Sequence, residues 1–192
     1  MAIGTLKLES YVPVVKLNEG TYTKKPIQTT STVTCVGLIN TGTSTGGKAA
    51  VTASGGTTRT LTAAGSSSYN LFDSAAGITY TLPAPVVGLV YNFIWTVSQT
   101  SSNHVVVTDA GTTFLVGGCG MFSATDVTPS ATLGPKFFAA NGTNHVKFSS
   151  NATTTGSAIG SWLRFVCVSA TQWFVEGVID SPSGSIATPF ST

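Results

Sequence analysis

The sequence predicts an all-β fold: an antiparallel β-sandwich or barrel, jelly-roll-like, behind an extended N-terminal arm. Three observations carry that expectation. The ordered-looking stretches are dominated by Thr, Val, Ile, Phe, Tyr and Trp, whose β-branched and aromatic side chains suit a pleated, half-buried surface. Turn signals recur at short intervals, as in an antiparallel sandwich or barrel. No 12-residue window shows a helical period, and three Glu in 192 residues leave no coiled coil.

In chain order, residues 1–30 read as the arm. Leu6 and Leu8 alternate with Lys7 and Glu9, but Pro13, Gly20 and Pro26 interrupt the rest of this stretch, and a proline removes a ladder donor. Residues 31–58 form a Gly/Ser/Thr-rich segment: a short apolar strand near 33–39, a low-complexity loop and a short strand near Val51. Residues 59–180 are the body. Its strands are expected near 59–63, 68–72, 78–82, 88–97, 103–108, 113–116, 120–124, 136–140, 144–149, 161–169 and 172–179. Turns at Ala76-Gly77, Pro83-Ala84-Pro85, Ser101-Ser102-Asn103, Gly117-Gly118 and Asn141-Gly142 separate them. Asn141-Gly142 is the best hairpin signal, because both residues tolerate the positive φ of a type I′ turn. In TQWFVEGVID, Trp173, Val175 and Gly177 share one face, and Phe174, Glu176 and Val178 share the other. This strand is expected to pair with SWLRFVCVS through Ser169-Ala170-Thr171, with an aromatic at each end of the ladder. Residues 181–192 read as an extended or frayed tail.

Composition narrows the function classes. Only 8% of the residues are charged, against a typical ~25%; 32 Thr, 22 Ser and 21 Gly fill the gap. High hydrophobicity with low charge is the opposite of a disordered chain. A net charge of +2 offers no basic patch for nucleic acid, and no run of 18 apolar residues offers a membrane span. The N-terminus lacks the basic-then-apolar pattern of a secretion signal. The charges are unevenly placed. Residues 1–25 hold Lys7, Lys16, Lys24, Lys25, Glu9 and Glu19, whereas the ten charges of residues 26–192 cancel. A neutral body has little electrostatic protection against association. Cys35, Cys119 and Cys167 are odd in number and widely spaced, so they read as buried thiols of a protein folded in a reducing cytosol.

Chemical motifs are weak. Gly42-Thr43-Ser44-Thr45-Gly46 matches a nucleophile elbow, but no helix follows it. Gly42 to Lys48 matches a phosphate loop except that Ala49 stands where a magnesium-binding hydroxyl is required. His104 and His145 have no close ligand partner in sequence, although Asp109 lies five residues from His104. Asp73, Asp109, Asp126, Glu176 and Asp180 show no spacing that marks an acid/base pair. Trp95, Trp162 and Trp173 sit on apolar strands, which favours core packing over a sugar site. The glycosylation patterns at Asn141 and Asn151 carry little without a secretion signal. The chain is therefore expected to have no catalytic residue, no metal and no cofactor, and not to be an enzyme.

One stretch carries a family likeness. Leu61-Thr62-Ala63-Ala64, Ala75-Ala76-Gly77, Thr81-Leu82-Pro83-Ala84-Pro85, Gly88-Leu89 and Tyr91-Asn92-Phe93 resemble a pattern in tailed-bacteriophage virion proteins. Gly160-Ser161-Trp162 and Ala170-Thr171-Gln172-Trp173 resemble the closing hairpin of such proteins. The likeness covers residues 61–180. It implies a β-rich, homo-oligomeric structural module without cofactor or catalytic residues, of head decoration (cement) type or of tail-fibre type. The corner has its own physical reading: Pro83 and Pro85 stop the strand ending at Leu82, and Gly88 permits the return.

The expectation is a capsid decoration protein on the virion surface, made in the host cytoplasm. It would stabilise the head through a homo-oligomer, a trimer favoured, and through arm contacts of Lys7, Lys16, Lys24 and Lys25 with the major capsid protein. The alternative is a tail-fibre or receptor-binding β module that recognises host surface sugars. Neither involves nucleic acid or membrane. The alternative expects exposed aromatics among Trp95, Trp162, Trp173 and Tyr69; the first expects them buried.

Overall fold

The computed structural model describes residues 51–53, 58–123, 135–182 and 186–192, all within one compact unit. Lys7, Lys16, Lys24, Lys25, Cys35, the 42–48 loop and Asp126 lie outside the described residues. The fold is an all-β sandwich of two sheets. Its strands are β1 (Val51–Thr52), β2 (Thr58–Thr60), β3 (Ser68–Phe72), β4 (Thr79–Thr81), β5 (Val90–Trp95), β6 (His104–Val107), β7 (Phe114–Ser123), β8 (Lys136–Asn141), β9 (Lys147–Ser150), β10 (Trp162–Ser169), β11 (Gln172–Ser181) and β12 (Phe190–Ser191). A 3-10 turn, Ala63–Gly65, separates β2 from β3.

The larger sheet has the order β1-β3-β5-β10-β11-β7-β8, and the smaller β12-β9-β6-β4-β2. Pairing is mixed rather than antiparallel throughout. β1–β3, β3–β5, β2–β4, β4–β6 and β11–β7 are parallel. The cause is the path of the chain. From β1 to β6 it crosses between the sheets at every step, so each return to a sheet runs in the same direction as the previous visit. A parallel pair needs a long crossover, and here the crossover is a strand of the opposite sheet. Val51 pairs with Tyr69 and Tyr69 with Asn92, so successive circuits take 18 and 23 residues. A turn-by-turn sequence reading shows short strands but not this winding.

The Leu-Pro-Ala-Pro corner behaves as its residues require. β4 ends at Thr81, Leu82 is fully buried, and Gly88 adopts φ 93°. Its N–H donates to the Cys167 carbonyl (2.9 Å), which ties the return to the start of β5 and the end of β10.

Two expectations about turns and one about the tail are corrected. Gly117-Gly118 is not a turn but the middle of the ten-residue β7. A Cβ at Gly117 would lie 2.8 Å from the Phe174 ring, and one at Gly118 2.7 Å from the Phe137 ring. A Cβ would also meet the carbonyl oxygen of Val175 at Gly117 and of Phe138 at Gly118, closer still than the rings, so both positions need bare backbone. Asn141-Gly142 does not close a hairpin, since β8 and β9 belong to different sheets. Only Gly142 has positive φ, and Asn141 Oδ1 accepts from the N–H groups of Thr143, Asn144 and His145 instead. Phe190–Ser191 is not frayed: it pairs with β9 because Phe190 is buried against Phe148.

The core is aromatic. Phe72, Phe93, Phe165 and Trp173 of the larger sheet meet Tyr80 and Phe148 of the smaller. Edge-on contacts run Phe72–Tyr80 (5.2 Å), Tyr80–Phe93 (5.3 Å) and Phe93–Phe165 (5.3 Å). Fully burying such a ring contributes about 1.5–3 kcal/mol. The two buried phenols keep their hydroxyls satisfied, Tyr80 donating to the Leu71 carbonyl and Tyr91 to that of Thr62, each at 2.7 Å. Cys119 and Cys167 are free thiols in this core, as the sequence predicts. Burial pushes the Cys119 thiol up to about 12, which leaves it unreactive.

Candidate functional site

The two parts of the molecule with chemical interest are a buried polar island and the outer face of the larger sheet. The island surrounds His104, which opens β6 and is 0% exposed. Its Nδ1 accepts from the Ile78 N–H (3.1 Å), so the proton of the neutral ring sits on Nε2. Phe72 and Trp95 pack on the ring. Nearby, Ser150 Oγ donates to Gln99 Oε1 (3.3 Å), and Ser150 is the cross-strand neighbour of His104. His104 Nε2, Trp95 Nε1, Gln99 Nε2 and Ser157 Oγ are buried without a hydrogen-bond partner among the described residues. Ordered water is the usual partner of such groups. Burial lowers the His104 pKa to about 4, although the Ser74 carbonyl and Asp73 pull it the other way. A neutral, enclosed imidazole cannot reach a substrate, so the island reads as structure rather than as an acid/base site.

The other sequence candidates separate in space. His145 is half-buried and stacks on Phe190, and its Nδ1 accepts from the Asn141 N–H (3.2 Å). The recurrence Asn-His-Val at 103–105 and 144–146 therefore marks two unlike environments. Asn141 and Asn151 both spend their side-chain oxygens on local N–H groups, as turn residues do. Among the described residues no group of three His, Cys, Asp or Glu is placed to hold a metal ion. Glu176 forms an ion pair with Arg164 (2.9 Å).

That ion pair sits in the middle of the second feature. The registers of the larger sheet lay its outward residues in rows. One row runs Leu71, Ile94, Trp162, Val178, Gly120, Phe137. The next contains Tyr69, Asn92, Arg164 and Glu176, and a third Val90, Val166, Phe174 and Val116. Trp162 is 43% and Phe137 69% exposed; Tyr69, Phe174 and Val178 are also exposed. At one end the face continues into Val168, beside the exposed Val86 and Val87 of the corner. Scattered surface apolar residues are ordinary, whereas these lie together on one face.

The tryptophans thus divide. Trp95 and Trp173 are core residues, as expected, and Trp162 is not. It lies on the outer face while Trp173 lies on the inner, so the two do not form a ladder pair across β10 and β11. The alternation in β11 is as predicted, with Trp173 and Val175 inward and Phe174 and Val178 outward. Sequence reasoning misses the face itself. Its signal is that WLRFVCVS and WFVEGVI are apolar at both parities, the pattern of strands covered on two sides.

Comparison of the chain with protein-family models, with curated proteins and with solved structures finds no match.

Proposed function

We propose that the protein is a virion structural subunit, a capsid decoration protein that binds the outside of a phage head and stabilises it. This reading expects Trp162 and Tyr69 buried, and in the single chain both are exposed; the observation that carries it is that the apolar face of the larger sheet on which they lie is suited to being covered by assembly. The near-neutral body is consistent with it: residues 26–192 carry five positive and five negative charges, so copies do not repel. In this reading the bodies form a homo-oligomer, a trimer if they occupy three-fold sites of the shell. Residues 1–30 reach the major capsid protein by strand addition, with Lys7, Lys16, Lys24 and Lys25 meeting its acidic surface. The test is recovery of the tagged protein on separated heads and tails of the virion that encodes it. Recovery on heads, lost on deletion of residues 1–25, is the expected result. Recovery on tails overturns the head reading, and unchanged head binding after the deletion overturns the arm mechanism.

The exposure of Trp162 and Tyr69 around Arg164 and Asn92 favours one second reading, a receptor-binding module that stacks host sugars on this face. Glycan-array binding abolished by Trp162→Ala would replace the first reading with the second.

A further inference from the structure

We propose that the outer face of the larger sheet is the contact between two copies of this chain, related by a two-fold axis that runs along the strands between β10 and β11. This deepens the assembly part of the reading above and rests on that part alone, not on the head as the location. A two-fold that turns one sheet face onto another sets β10 of one copy over β11 of its partner. Residues that are cross-strand neighbours within one chain then become facing neighbours between chains. The neighbours here are Trp162 with Val178, Arg164 with Glu176, and Val166 with Phe174.

Each pair is complementary in the required sense. The indole of Trp162 meets the partner's Val178, and the Phe174 ring meets the partner's Val166, large against small in both directions. Two packed sheets need this interdigitation to fill the space between them. The guanidinium of Arg164 meets the partner's Glu176, and Glu176 meets the partner's Arg164. The 2.9 Å pair within each chain and the new pairs between chains close a ring of four alternating charges. An Arg has five N–H donors, enough to face two carboxylates. A two-fold contact requires one patch to complement itself, and these registers supply that in shape and in charge. A strongly charged partner finds little to select at the middle of this face, because Arg164 and Glu176 cancel there. Any three-fold contact would use other surfaces, and the two together would give an even-numbered assembly.

The test is the mass of the full-length protein and of two charge variants, by sedimentation equilibrium. The wild type is expected as an even number of chains. Arg164→Glu sets carboxylate against carboxylate across the two-fold, and Glu176→Arg sets guanidinium against guanidinium. Each variant alone is expected to self-associate about 100-fold or more weakly, since like-charge juxtaposition at an interface is strongly unfavourable. An equimolar mixture is expected to recover association, because every contact across the mixed interface is then between opposite charges. A pair acting only within one chain gives no such recovery, for it stays repulsive in both variants. If either charge variant loses its far-UV circular dichroism, Val178→Trp, which opposes two indoles and keeps both charges, gives the same readout. A monomeric wild type, an odd-numbered assembly indifferent to these variants, no recovery on mixing, or glycan binding to a monomer through Trp162 would each overturn the proposal. A protein that dimerises this way but does not bind heads would overturn the decoration reading and leave this one standing.

Discussion

Strands β10 and β11 carry apolar side chains on both faces, and among the described residues the opposite sheet covers one of them. Inward lie Leu163, Phe165, Cys167, Trp173, Val175 and Ile179, all buried. Outward lie Trp162, Val168, Phe174 and Val178, all exposed, with one ion pair among them. The smaller sheet lies against the inner face through Tyr80 and Phe148. Apolar side chains thus stabilise the fold on one side and, in the proposed assembly, serve recognition on the other. What separates the two roles is the position of the opposite sheet.

The largest test of this contrast is a matched pair of truncations. Trp173→Ala removes a fully buried indole and is expected to cost about 3–5 kcal/mol in urea unfolding. Trp162→Ala, measured at a concentration where the protein is dissociated, is expected to cost less than about 1 kcal/mol, and equal losses would erase the distinction between the faces.

Acid probes the inner side at the polar island. The folded pKa of His104, about 4, lies below the 6.5 of an open histidine, so the unfolded chain binds more protons between those values. Stability is therefore complete above pH 6.5 and falls as the pH drops toward 4, by on the order of 3 kcal/mol. His104→Asn, which keeps an acceptor for the Ile78 N–H, is expected to flatten that pH profile. An unchanged profile would remove His104 from the acid response.

The boundary between the faces is probed at β7. Gly117→Ala forces a side chain into φ 94° and against the Phe174 ring, with an expected cost of about 1–3 kcal/mol. Thermal unfolding measures it, and a neutral result would mean that the backbones of β7 and β11 shift apart at the Val175 carbonyl.

The smallest effect is expected at the outer ion pair. Both partners are nearly half exposed, so Arg164→Ala is expected to change monomer stability by less than about 0.5 kcal/mol while weakening self-association. Chemical denaturation and sedimentation of the same sample separate the two readouts.

Much of this fold is legible in one dimension. The all-β class, the strands β3 to β6 and β8 to β11, the corner at Leu82 to Gly88 and the inward set Trp173 and Val175 follow from alternation, β-propensity and proline chemistry. These are properties of neighbours in sequence. Gly117-Gly118 misleads because glycine signals a turn locally, whereas here the backbone carbonyls and rings of β8 and β11 demand it. Asn141-Gly142 misleads because a tight turn can join two strands of one sheet or pass the chain to another, and the residues in the turn are the same. The burial of His104 and the exposure of Trp162 are out of reach for a related reason: alternation says that two residues lie on opposite faces, not which face another sheet will cover.

Composition and alternation are enough to say that the chain builds a neutral β body and that β10 and β11 carry apolar residues at both parities. Which parity faces the core is set by where the second sheet lies. That placement rests on contacts between residues far apart in the chain, such as Tyr80 with Phe93 and Trp95 with Phe148, which no local pattern encodes.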